Sequence, residues 1–176
     1  MHRGWILTIL AILFLSPGAM PDDPPTEDKA GVTAKIAELN ERFVTLYGQG
    51  HYAEARAIAE ESLALAKKTL GPEHPQTAQC LNNLAALLYS VGDLAAARPL
   101  FESALAIEEK ALGPEHPETA TTLGNLALLL KGMGRHTVAR PLFERALAIN
   151  EKALGPDHPQ TAMSLNNLAS LLEAAG

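Results

Sequence analysis

One cysteine, Cys80, stands among 176 residues, so no intramolecular disulfide can staple the chain. The apolar run from Trp5 to Leu15 has 11 residues, well short of the ~20 that a membrane-spanning helix needs. Positive charge is in deficit. Fourteen lysines and arginines face 20 acidic side chains, a net charge of −6, which argues against nucleic acid or an anionic membrane as partner. There is no glycine-rich phosphate loop after a strand, no H-E-x-x-H and no nucleophile elbow, so the sequence offers no basis for an enzyme or for a cofactor.

What is present is self-similarity. Gly71-Pro72-Glu73-His74-Pro75 returns as Gly113-Pro114-Glu115-His116-Pro117 and as Gly155-Pro156-Asp157-His158-Pro159, a period of 42 residues. Of the 42 positions from Gly71 to Leu112, 28 are identical one period later. A fixed period of this size marks a solenoid, whose extended surface suits binding another chain better than enclosing a substrate.

The first 30 residues stand apart from the repeats. A short basic start at Arg3, the Trp5–Leu15 run and the small residues Ser16 to Ala19 read as a secretory signal over residues 1–19, or as an uncleaved signal anchor. Pro21, Asp22, Asp23, Pro24 and Pro25 make residues 20–30 a stiff polar linker. The chain is therefore expected to be exported, secreted or periplasmic, with residues 31–176 forming the folded solenoid.

Each repeat reads as two helices. Leu81, Leu84, Leu88 and Val91 recur at threes and fours, as do Leu123, Leu126, Leu130 and Met133. Pro75 suits a first helical position, Gly92 a helix end and Asp93 the cap of the next helix, which carries Ala97, Leu100, Phe101, Ala104, Ile107 and Ala111. Pro99 and Pro141 fall inside second helices and predict a bend there.

Leu81-x-x-Leu84-Ala85-x-x-Leu88 followed by Ala97-x-x-x-Phe101 and Ala104 resembles the tetratricopeptide repeat, and the 42-residue period with its "LNNLA" and "ALGPEHP" runs is similar to the kinesin-light-chain-like subgroup. The resemblance implies an all-α solenoid of stacked antiparallel helix pairs in a right-handed superhelix. The earliest repeat departs from the pattern at Arg42 and Ala59, as a cap would. The last supplies only one helix, giving three pairs plus a seventh, with Met163, Leu165, Leu168 and Leu172 partly uncovered. That helix caps the stack, or the chain is a fragment, or the helix meets another subunit.

Three features read as structural. His74, His116 and His158 sit one repeat apart, too far to share a metal, and read as helix-start residues before proline. Cys80 recurs as Thr122 and Ser164, a small filler. Glu60-Glu61 and Glu108-Glu109 read as solvated faces of second helices.

The candidate partner surface lies opposite the leucines of the first helices. Gln79, Asn83, Ala86 and Ser90 recur at fours and threes; Thr121, Asn125 and Leu128 follow one period on; Asn83 returns again as Asn167, with Asn82 and Asn166 beside this row. In the tetratricopeptide family this face lines a concave groove, so the resemblance implies a non-enzymatic protein-binding scaffold that holds a segment of a partner. An amide offers donors and an acceptor to a partner's backbone. The same asparagines could instead tie neighbouring helices together. A self-assembling module using the last helix, or a membrane-tethered helper subunit, are the alternative functions.

Overall fold

The computed structural model describes residues 29–175, the side chain of Ala175 excepted. The signal expected at 1–19 and most of the linker expected at 20–30 lie outside the described residues. Within them the chain forms α1 (Lys29–Gly48), α2 (Tyr52–Thr69), α3 (Pro75–Ser90), α4 (Leu94–Ala111), α5 (Pro117–Gly132), α6 (His136–Leu154) and α7 (Pro159–Ala175), with no strand among them. Thus α1 begins two residues before the expected solenoid start. No helix among the described residues is long and apolar enough to cross a membrane.

The recurring Gly-Pro-Glu/Asp-His-Pro motif is a helix-to-helix clasp. His74, His116 and His158 each accept the backbone N–H two residues on through Nδ1 at 3.2 Å, which caps the helix that follows. The threonine two residues past the proline completes it: Thr77, Thr119 and Thr161 donate to the carbonyls of Gly71, Gly113 and Gly155 at 2.7, 3.0 and 2.8 Å. Those glycines hold φ near +100°, where a Cβ would be strained. Asp93 caps α4 by accepting the Ala96 N–H at 3.1 Å, as its position predicts.

Consecutive helices pack into the pairs α1–α2, α3–α4 and α5–α6, with α7 packed on α6. The interior follows the expected stripe. Leu81, Leu84, Leu88, Ala97, Phe101 and Ala104 are buried, and so are their counterparts Leu123, Leu126, Leu130, Ala139, Phe143 and Ala146. Val91 and Met133 do not join it. Each is the C-cap residue where the helix ends, and both are exposed. Helices α4 and α6 run unbroken through Pro99 and Pro141. The N–H that Pro99 lacks would have met the carbonyl of Ala95, an exposed residue that water can serve.

Layering sets the curvature. Helices α1 and α3 pack closely, as do α3 and α5, and α5 and α7; the backbones of α2, α4 and α6 stand farther apart, with α4 and α6 bridged by the long Arg145–Glu109 pair. A stack closer on one side than on the other is concave on the closer side, so α1, α3, α5 and α7 form the inner wall. On α7, Leu171 is buried and Leu168 packs against the core, whereas Met163, Leu165 and Leu172 stay exposed.

Candidate functional site

The inner wall carries the candidate residues where helical spacing put them. Gln79, Ser90, Thr121 and Asn166 are exposed, while Asn82, Asn83, Ala86, Asn125, Leu128 and Asn167 are half-buried. Ala86 and Leu128 lean against the core rather than standing free.

The asparagines bond across helices in a staggered series. Asn83 donates through Nδ2 to Oδ1 of Asn40 at 3.3 Å, and Asn125 donates to Oδ1 of Asn82 at 3.2 Å. Each link joins one first helix to the next, so these half-buried amides tie neighbouring repeats. By the same register Asn167 would seek residue 124, which is glycine and offers no side-chain acceptor. Asn40 is the residue the sequence reading missed. It stands 42 positions before Asn82, so the period itself points to it. It also accepts from Ser62 at 3.1 Å and donates to Gln79 at 3.3 Å. Ser90 shares a 2.5 Å hydroxyl contact with Tyr47, a further tie between repeats.

Two depressions open along this wall. A cleft of about 540 Å³ lies between α1 and α3, lined by Ala37, Asn40, Glu41, Val44, Thr45, Gln79 and Asn83. A smaller cavity of about 200 Å³ lies between α3, α4 and α5, lined by Gln79, Asn82, Asn83, Glu108, Glu118 and Thr121. The structure thus gathers Gln79, Asn82, Asn83 and Thr121 around one space, and leaves Asn166 and Asn167 apart on α7.

Glu108 corrects the sequence reading. It was expected on a solvated face beside Glu109, but it is only 3 % exposed. Ala97, Phe101, Ala104 and Glu108 follow at fours and threes, so Glu108 continues the buried stripe of α4. Its Oε2 has no hydrogen-bond partner, and neither has Oγ1 of Thr122 nearby on α5. Burial pushes the carboxyl up to about 7 and Glu118 adds to the rise, while the Thr122 hydroxyl, near but outside hydrogen-bond geometry, opposes it. Glu109, by contrast, pairs with Arg145 at 2.6 Å. Cys80 is fully buried, 3.1 Å from the Ser62 hydroxyl, and burial pushes its thiol up, consistent with a filler.

The chain matches the tetratricopeptide repeat family over residues 44–110, 82–152 and 125–176. Among solved structures, a protein described as a kinesin light chain with nearly identical TPR-like repeats, from Podosopora anserina, is 30 % identical, with a TM-score of 0.74 over 81 % of this chain and 67 % of that one. BtubC (BKLC) from P. vanneervenii is 23 % identical, with a TM-score of 0.73 over 84 % of this chain, which spans 58 % of its length. The first TPR of Spaghetti (RPAP3), solved with an HSP90 peptide, is 17 % identical, with a TM-score of 0.58 over 81 % of this chain and 94 % of that one. These last two establish likeness of fold alone. No curated protein matches the chain significantly in sequence.

Proposed function

The chain belongs to the tetratricopeptide repeat family, in its kinesin-light-chain-like form, and from that premise we propose that it is a non-enzymatic scaffold whose inner wall holds a segment of a partner protein. The observation that carries this reading is the cleft between α1 and α3. It is bordered by amides from two successive repeats and by Val44, an apolar side chain left 62 % exposed. Amides can pair with the backbone of an extended chain and Val44 with an apolar side chain, the combination expected where a peptide lies down. The Spaghetti domain, solved with its HSP90 peptide, supports the idea that a stack of this fold seats a peptide.

Selection of a random displayed-peptide library against the full chain tests the proposal. Selected peptides are expected to lose at least about tenfold in affinity on Val44→Arg, which blocks the cleft, and to be unaffected by Val138→Arg on α6. Both side chains are exposed, so melting should not move. Equal binding to both variants would place the binding surface elsewhere.

A second reading has its own observation. Met163, Leu165 and Leu172 leave an apolar patch on α7 that a second copy could cover. Light scattering that shows concentration-dependent dimers, relieved by Leu165→Lys, would favour it.

A further inference from the structure

We propose that the cavity between α3, α4 and α5 receives the ammonium end of a lysine side chain from the bound segment, with Glu108 as its counter-charge; this rests on the inner-wall reading above.

The first support is an unanswered acceptor. Glu108 is 3 % exposed and its Oε2 has no partner, although it lines the cavity. A buried carboxylate without a partner is costly to keep. The repeats show cheaper solutions for the same slot. One period earlier it holds Ala66, and one period later Asn150, whose Nδ2 donates to Ser164 at 2.9 Å. Of the three copies, only the middle one places a carboxyl there, and it lines the cavity.

The second support is the balance of the lining. No lysine, arginine or histidine borders the space, and Glu118 adds a second carboxylate. Asn83 spends Nδ2 on Asn40, leaving Oδ1 as an acceptor. Thr121 spends its hydroxyl proton on the carbonyl of Pro117, leaving its oxygen lone pairs. Gln79 and Asn82 have spent their amide oxygens on Asn40 and Asn125, so the free acceptors are the two carboxyls, Asn83 and Thr121; with no cation among the lining residues, they suit a group with three donors and one positive charge. Lysine supplies these at the tip of a slender stem that an opening of this size admits.

Protonation gives the pocket a signature. Glu118 on α5 is the charged group that faces Glu108; α3 presents neutral Gln79, Asn82 and Asn83, and on α4 itself Glu109 is engaged by Arg145. With its carboxyl held up to about 7, Glu108 is largely protonated at pH 6 and largely ionised at pH 8. Lysine stays charged across that range. Its binding therefore strengthens as pH rises, by about tenfold between pH 6 and pH 8.

The test is an NMR titration of the full chain with N-acetyl-lysine N-methylamide, using the norleucine analogue as the uncharged control. The lysine compound is expected to shift the side-chain amides of Gln79, Asn82 and Asn83, to bind about tenfold more weakly at pH 6, and to lose at least about tenfold in affinity on Glu108→Gln. Comparison of pH 6 with pH 8 uses the unaltered chain, so it stands even if the variant fails to fold. Unmoved amides at about 50 mM lysine compound, equal shifts with norleucine, or pH-independent binding would each overturn the site. Displayed peptides that bind Glu108→Gln undiminished but are lost on Val44→Arg would remove the lysine pocket and leave the inner-wall reading intact. Peptides indifferent to Val44→Arg would instead remove that reading.

Discussion

The junction of α4 with α5 and the junction of α6 with α7 are built by the same repeat and solve one position differently. Asn150 and Ser164 bury a neutral pair with a 2.9 Å hydrogen bond across their junction, although Oδ1 of Asn150 stays unpartnered. Glu108 and Thr122, one period earlier, bury an acid and a hydroxyl with Oε2 and Oγ1 both unpartnered. Backbone, clasp and flanking aromatic are shared, so each junction serves as a control for the other. A repeat protein advertises function where copies of one slot stop agreeing, because packing demands are common to all copies. The slot at Glu108, on α4 behind the inner wall, is such a place.

The comparison assumes that the two repeats are mechanically equivalent, and the largest expected effect checks that. Phe101 and Phe143 are both 1 % exposed at corresponding places. Truncating either to alanine should cost about 3–5 kcal/mol in urea unfolding, with similar values for the two. A much smaller loss at Phe143 would mean that the later repeat frays independently, and the junctions could not be compared as equals.

Glu108→Gln should come next, and its sign depends on pH. The folded chain holds this carboxyl up to about 7, whereas an unfolded glutamate titrates near 4.3. Between those values the folded state keeps a proton that the unfolded state releases, so this group makes stability fall as pH rises from about 4 to about 7. Its penalty is absent below about pH 4 and complete above about pH 7. Glutamine carries no such penalty. The variant should therefore be more stable than the parent at pH 8, by at most about 4 kcal/mol, and equal to it near pH 4. A variant no more stable at pH 8 would show that Glu108 is already satisfied in the free protein.

The hydroxyls beside each slot should also respond in opposite ways. Ser164→Ala strands the Nδ2 of Asn150 and should cost about 1–3 kcal/mol. Thr122→Val removes a hydroxyl that has no partner and should be neutral or slightly stabilising. Equal losses at both would erase the distinction between a junction with a hydrogen bond across it and one without.

Most of the fold was legible because its determinants are periodic and local. The 42-residue markers, the leucine stripe and Phe101 with Ala97 and Ala104 describe interactions that each repeat makes with itself. The histidines were readable as helix starts for the same reason, since a cap needs only neighbours within a turn. What escaped were relations between repeats. Glu108 was read by residue type as solvated, although its place seven residues after Phe101 and four after Ala104 puts it on the buried face. Asn40 was overlooked because it lies in the atypical first repeat, where Arg42 and Ala59 had already broken the pattern. Val91 and Met133 were read as core because the spacing continues to them, whereas the helix has ended and the side chains turn outward. The contents of a cavity bounded by three helices cannot be read from any one of them.

The smallest expected effect asks whether the amide series is one device interrupted or two unrelated bonds. Asn83 reaches Asn40 and Asn125 reaches Asn82, so a third link would need an asparagine at position 124 to receive Asn167. Gly124 stands inside α5 with no atom within 4 Å of where a Cβ would be, so substitution there meets no obstacle. Gly124→Ala should stabilise by about 0.5–1 kcal/mol through helix propensity alone. Asparagine is a poorer helix former than alanine by roughly 0.6 kcal/mol, so on propensity alone Gly124→Asn should gain less. If the third link forms, its hydrogen bond adds about 0.5–1.5 kcal/mol and brings Gly124→Asn level with the alanine variant or above it. Adding Asn167→Ala separates the two cases, because it should erase that extra stability in the asparagine background and do nothing in the alanine background. A null result in both backgrounds would mean that Asn167 does not hold the register of Asn83 and Asn125. The last repeat would then be joined to the stack by the Asn150–Ser164 pair, the Lys131–Ser170 hydrogen bond and apolar packing, without an amide tie on the inner wall.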